Sequence, residues 1–442
     1  MTHPAQSIED VPLNHFHRLL TLRSAGGSFV DGYVLSLIGI ALIPTAAALG
    51  LDSFWEGMIA ASALIGIFFG GFLGGWLTHR LGRRRVYFIG PLLFIFASLA
   101  QYWVQDAQTL FILRLIIGVA VGIEYPVATS MLVEFMPKNA RGPRLAGFIV
   151  IWFAGAATAY GLGEIILRLG DAEAWRLVLA SAAVFGAVLL LLRLGTPESP
   201  RWLLSKGRNA EAERIIKQVY GPAFSLAHLP EEPRSSTLSA WDLMRAGYGR
   251  RMLFVSAFWS CSVIPLFAVY AFAPKVMDAL NLKGDWASLG SMAITLLFVV
   301  GCILAARLIN SIGRRNLLIS SFLFSGLALF GLGLFHDSNA LLILILFGAY
   351  AVAIGGAQVL ALVYPNEIFP TEIRAQAVGV GTSLSRIGAA VGTYLVPISL
   401  QDYGIAHTMY AAAAVTLVGL LVSWALAPET RSLNLQQAAA LS

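Results

Sequence analysis

The chain has 442 residues, of which 57% are hydrophobic and 12% charged, with a mean hydropathy of +0.75. Soluble proteins carry about 25% charged residues, so this composition excludes a water-soluble globular protein and requires an integral membrane protein. The formal net charge of +6 follows from topology, as shown below, and does not indicate a nucleic-acid partner.

Runs long enough to cross about 30 Å of hydrocarbon are predicted at 19–50, 54–78, 86–105, 108–136, 144–169 and 174–194. A second series follows at 252–280, 286–309, 316–335, 340–364, 373–400 and 405–427. These are spans 1 to 12. Nothing at the start resembles a cleavable signal. With both termini inside, 24 of the 30 Lys and Arg fall in cytoplasmic loops and helix ends, as the positive-inside rule requires. Arg168, Arg176, Lys275 and Lys283 fall outside, which leaves Arg114 and Arg386 within spans. The outer loops are short and lack Asn-X-Ser/Thr acceptors, which favours a bacterial inner membrane. Cys261 and Cys302 read as inert thiols within spans, and no metal cluster, ATP-binding motif or cofactor site is evident, so an enzyme is not expected.

Three domains follow: an N-terminal six-helix unit (1–194), a cytoplasmic linker (195–251) and a C-terminal six-helix unit with a tail (252–442). The linker segment RNAEAERIIKQVYG predicts a short amphipathic helix within 198–220. The two units repeat. LGRRRV at 81–86 matches IGRRNL at 312–317, EFMPKNAR at 134–141 matches EIFPTEIR at 367–374, and PESPR at 197–201 matches PETRS at 428–432. The offsets are 231, 233 and 231 residues, and chance would not preserve order and spacing across three motifs. Duplicated six-helix units related by an axis along the membrane normal form a transporter architecture with a midplane site.

At this point the chain resembles the major facilitator superfamily over essentially its whole length. GGWLTHRLGRRR looks like that superfamily's signature between helices 2 and 3. RLIIGVAVGIEYP, PESPRWL and PET look like its sugar-porter and organic-ion branches, and bacterial metabolite:proton symporters are the closest likeness. The resemblance implies an all-α fold of twelve helices in two pseudo-symmetric bundles, a monomer in lipid, and alternating access. It also implies a cytoplasmic gate of interdomain salt bridges drawn from His79, Arg83, Arg84, Glu134, Arg141, Glu198, Arg201, Arg314, Arg315, Glu367, Arg374 and Glu429. His79 stands where the signature usually has Asp, and Asn310 is its second-half counterpart.

Ionisable residues inside spans mark pathways. In proton-coupled sugar porters the motif positions of Asp31 and Arg114 carry an acid and an arginine that interact, with the proton as coupling ion. A fixed ion pair between spans 1 and 4 is the alternative. Glu124 lies ten residues past Arg114, about 15 Å along a helix. It could meet a substrate cation, carry the proton, or hydrogen-bond a neighbouring helix. Glu164 reads as an interfacial residue facing the outer vestibule. The seventh span, FVSAFWSCSVIPLFAVYAFAP, lacks the amides a hexose needs and offers Trp259, Phe267, Tyr270 and Phe272 instead. Arg386, in SRIG, resembles the helix-11 position where organic-anion carriers tend to have Arg. Arg386 is therefore expected to bind a substrate carboxylate, with helix 7 aromatics and Gln358 completing the site. A structural Arg, capping carbonyls or pairing with Glu124, is the alternative. The expected function is proton-coupled transport of a small organic anion or carboxylate-bearing zwitterion. An organic-cation carrier using Glu124 and Asp31 is the alternative; a sugar symporter or a non-transporting receptor is more remote.

Overall fold

A computed structural model describes residues 8, 11–229, 247–279, 285–369 and 371–431. In the first half, α1 (His15–Leu49), α2 (Ser53–Leu81), α3 (Arg83–Ala100), α4 (Ala107–Phe135) and α5 (Lys138–Leu169) are followed by α6 (Ala174–Ala180) and α7 (Ala182–Arg193). The last two together form one membrane-length segment. The linker carries α8 (Pro200–Ser205) and α9 (Asn209–Tyr220), at the place of the predicted amphipathic helix. The second half contains α10 (Gly249–Ala279), α11 (Asp285–Ile312), α12 (Arg314–Leu334), α13 (Ala340–Ile368), α14 (Thr371–Asp402) and α15 (Gly404–Leu426). Among the described residues, eleven helical segments are long and apolar enough to cross a membrane. With α14, which is 32 residues long, they make the twelve-helix fold in two bundles.

Several helices begin where a short polar side chain can accept from a free N–H of the first turn. Asp52 accepts from the Trp55 amide, Asp106 from Thr109 and Asn339 from Leu342, at 2.8, 2.8 and 2.9 Å. The Thr109 amide and hydroxyl hold the Asp106 carboxyl below the usual carboxylate range. In α10, Phe272 departs from helical geometry (φ −126°, ψ 15°) two residues before Pro274, because proline supplies no amide to the preceding turn.

Packing repeats between the halves. In the first, α2 packs on α4, α1 on α5, and α3 on α4 and α7; in the second, α11 packs on α13, α10 on α14, and α12 on α13 and α15. The halves meet through α2 against α14, α5 against α11, and α1 against α10. The first two junctions are each other's symmetry mates. At the face opposite the repeated arginine motifs, Tyr394 of α14 packs edge-on against Phe54 of α2 with centroids 6.1 Å apart. Nearby, Ser53 hydrogen-bonds Gln401. Deeper in, Phe153 of α5 stacks on Phe298 of α11 at 5.4 Å. The opposite face is therefore sealed.

Candidate functional site

The arginine-rich face carries two copies of one device. Gly82 and Gly313 precede α3 and α12 with φ of 97° and 94°, a region that L side chains rarely adopt. Each thereby opens a helix N-terminus to a carboxylate, where free amides and the helix dipole favour negative charge. Glu198 Oε1 accepts from the amides of Arg83 and Arg84 at 2.9 and 3.1 Å. Glu429 does the same for Arg314 and Arg315 at 3.0 and 3.1 Å. Arg83 Nη2 lies 3.0 Å from Glu134 Oε1, and Arg314 Nη2 lies 3.1 Å from Glu367 Oε1. Ser199 and Thr430 complete each copy by donating to Glu134 and Glu367.

The bonds named here are made inside each repeat; the interdomain bridges expected of the gate belong to the conformation in which this face is closed. The bonds named above join each cluster to its own repeat, the first copy taking Glu198 and Ser199 from the start of the linker. The side chains of His79, Arg141 and Arg374 lie outside the described residues, and Asn310 accepts from Arg314 at 3.1 Å. Arg201 lies half-buried in the first turn of α8.

A second cluster is buried within the first half. Glu124 of α4 and Arg193, the last residue of α7, form a two-pronged ion pair with side chains 1% and 0% exposed. Arg193 Nη1 lies 2.8 Å from Glu124 Oε2 and donates to the Tyr87 carbonyl at 2.6 Å. Its guanidinium also stacks on the Tyr87 ring at 3.6 Å. The pair fits because Gly27 and Gly90 leave the space that a Cβ would fill. Glu124 is thus occupied, neither exposed to a substrate cation nor paired with Arg386. By sequence Arg193 reads as one of the cytoplasmic helix-end charges. The missed signal is an acid on span 4 whose nearest intramembrane arginine lies ten residues away.

Asp31 sits one turn above Gly27 on α1, 5% exposed, and its Oδ1 accepts no hydrogen bond among the described residues. The expected Asp31–Arg114 pair is not made in this conformation, because Arg114 faces elsewhere. Glu164 bridges Arg168 one turn further along α5 at 2.6 Å.

Arg114 points into the interface between the halves. It is 1% exposed and lines a small void of about 10 Å³ with Leu35, Ala60, Ala63, Leu64, Phe267 and Thr393. Close packing of α4 on α2 puts it there: Gly118, one turn further along, lies against the Ala63 backbone with no room for a side chain. From the other half, half-buried Arg386 holds its guanidinium 5.2 Å from the centre of the Phe267 ring. Trp152 of α5 meets that ring edge-on at 6.2 Å, so Phe267 is wedged between the two halves. Two expected substrate contacts take packing roles instead. Trp259 is buried against Gly381, and Gln358 donates to the Ser262 carbonyl at 3.2 Å. The Tyr270 side chain lies outside the described residues.

Comparison with known proteins places these features in a lineage. Residues 21–441 match the family model described as sugar (and other) transporter. The chain is 41% identical to the Escherichia coli K12 protein named "Putative metabolite transport protein YaaU", over 98% of this chain and 97% of that one. It is 37% identical to the "Inner membrane metabolite transport protein YgcS" of the same organism, over 97% and 95%. Among solved structures, a partially occluded, inward-open conformation of the Escherichia coli xylose transporter XylE superposes with a TM-score of 0.80. That match has 21% identity and covers 94% of this chain and 100% of that one; it bears on the fold alone.

Proposed function

Since the chain belongs to the sugar (and other) transporter family of the major facilitator superfamily, and is therefore a transporter and not an enzyme, we propose that it carries a small carboxylate-bearing metabolite. Transport would be proton-coupled and proceed by alternating access across a bacterial inner membrane. The arginine-rich face would be cytoplasmic, as the positive-inside rule favours. The observation that carries the substrate class is Arg386 poised over Phe267 at the junction of the halves. A guanidinium presents paired donors that match a carboxylate, and an aromatic floor fixes its plane. Proton coupling rests on Asp31, a carboxyl buried in a membrane span with an oxygen that accepts no hydrogen bond among the described residues. Glu124 no longer serves an organic-cation reading, because Arg193 neutralises it.

Sugar transport is the second reading. It is favoured by relatives such as the D-xylose-proton symporter of Escherichia coli K12, 25% identical over 93% of this chain. Binding to purified protein, screened over acids, amines, zwitterions and pentoses, separates the two. A carboxylate should bind, and Arg386→Ala should cost about 2–5 kcal/mol if the pair is desolvated. Arg386→Lys should recover only part, because the ammonium keeps the charge and loses the fork. Unchanged affinity in Arg386→Ala would remove the anion reading, and tight binding of a neutral sugar alone would install its rival. In proteoliposomes, Asp31→Asn should lose gradient-driven accumulation and keep exchange. Accumulation like wild type would take coupling away from Asp31.

A further inference from the structure

A histidine stands where the linker helix α9 meets the first half. His17 lies in the first turn of α1, ahead of the predicted span at 19–50, and is fully buried. Its Nε2 lies 3.0 Å from the carbonyl of Phe135, the last residue of α4. A carbonyl only accepts, so Nε2 carries the proton. Nδ1 accepts from the amide of Asn14, the N-cap of α1, at 3.1 Å, and the Asn14 side chain accepts from the His17 amide at 3.0 Å. From that cap, Asn14 donates to the Val219 carbonyl of α9 at 2.8 Å. Tyr220, the last residue of α9, donates to the same Phe135 carbonyl at 2.8 Å. Its ring lies 5.7 Å from the imidazole. One neutral imidazole thus joins the ends of α1, α4 and α9.

Both ring nitrogens are spent, so a second proton must displace the Asn14 amide and open the cap. Arg144 of α5 is held against the same stretch of α1 by its 2.8 Å bond to Thr21, one turn past His17. A buried site and a neighbouring guanidinium both disfavour the cation. Among the described residues, no acid offsets them: Glu134, next to Phe135, is taken by Arg83 and Ser199, and α1 adds only exposed His15 and Arg18. The repeat supplies a contrast. Ile368, the counterpart of Phe135, has its carbonyl capped at 2.9 Å by Arg251 from the first turn of α10, a group charged at every working pH. We infer that His17 is a pH-sensitive fastener, absent from the second half, which holds the end of α9 on the first half when neutral and frees it when protonated. The docked site resists the proton and the released one does not. Docking is therefore complete above the ordinary histidine value of about 6.5 and weakens as pH falls below it. Since the linker is the covalent tether between the halves, acid on the arginine-rich face lengthens the slack across which they move.

Thiol labelling of the full-length protein tests this. Val219→Cys is buried under the docked end of α9, and Gln218→Cys beside it is exposed. The ratio of their rates with a maleimide cancels the change in thiolate fraction, and the native Cys261 and Cys302, both buried, set the background. From about pH 7.5 to about 5.5 the ratio should rise about tenfold, the effect of one unit of difference in proton affinity. His17→Gln keeps a donor for Phe135 and takes no proton, so its ratio should stay flat. Arg144→Gln should shrink the step, because the docked site then resists the proton less. Tyr220→Phe should raise the ratio at every pH and keep the step. A flat wild-type ratio, or the same step in His17→Gln, overturns the fastener. Thermal unfolding identifies a variant that fails to fold; if His17→Gln does so, Arg144→Gln decides, and an unchanged step there overturns it.

Discussion

Asp31, Arg114, Glu124 and Arg193 share the interior of the first half, yet their surroundings assign them different work. Glu124 and Arg193 satisfy each other with two-pronged geometry, and Arg193 adds a carbonyl and a ring. Removing one member strands the other charge in a dry interior, so Glu124→Gln or Arg193→Met should each destabilise the protein by about 3–5 kcal/mol. The double variant should regain much of that loss, because the coupling between contacting residues is itself a large term. Thermal unfolding of the detergent-solubilised protein reads this; additive losses in the double variant would show that the two side chains act separately. The sequence exposed Asp31, Arg114, Glu124 and Arg386 because ionisable residues stand out in apolar runs. It hid Arg193, since an arginine at the end of a span looks like any interfacial charge. What buries it is the space at Gly27 and Gly90, a property of packing between helices that no single span displays.

At the scale of the element, the repeated motifs announced a duplicated unit but left the partners of each charge open. Spacing along the chain fixes that Glu134, Arg83 and Glu198 reach the same face, and it does not say whether they close within a half or across the halves. The answer comes from the loop glycines. Gly82 at positive φ turns α3 so that its first amides meet the Glu198 carboxylate, and Gly313 does so for α12 and Glu429. The clusters therefore brace helix ends inside each bundle. Gly82→Ala should destabilise by about 1–3 kcal/mol, from the strain of a Cβ at that φ and its clash with Glu198. Glu198→Gln keeps the shape and loses the charge, so it should cost less, about 0.3–1 kcal/mol. Unfolding temperatures of the two variants check the order; a larger loss in Glu198→Gln would make the charge, not the backbone, the governing part. The placement of Trp259 and Gln358 belongs to this scale too. An aromatic or amide on a pore-lining helix can face either its own bundle or the cavity, and helical periodicity in an apolar segment does not distinguish the two.

For the whole molecule, the sequence carried the twelve spans and their two-fold repetition, and it was silent on which end of the carrier would be closed. The seal at the opposite face depends on close approach of α2 and α14. A Cβ at Gly57 would lie 2.5 Å from the Tyr394 carbonyl oxygen, and the ring of Tyr394 packs on Phe54 at the same level. On the symmetry-related junction, Gly161 of α5 faces the flexible Met292 side chain of α11, with its Cβ position 3.3 Å from the sulfur. Backbone closes the space at Gly57, so that is the place with no room for bulk while this face is shut. Gly57→Trp should therefore exclude the present conformation and hold the carrier open to the opposite face, since a rocking carrier's two states lie within a few kcal/mol of each other. The interior of each bundle is untouched, so folding should survive while net transport falls to background. Labelling of single cysteines introduced at Ala60 or Ala63, about one and two turns along α2 from Gly57, reads the change directly. In the Gly57→Trp background these sites should react faster with a membrane-impermeant thiol reagent added from the face opposite the arginine motifs, and more slowly from the arginine-rich face. Equal labelling from both sides, or transport like wild type, would mean that the contact between Gly57 and Tyr394 is incidental to closure.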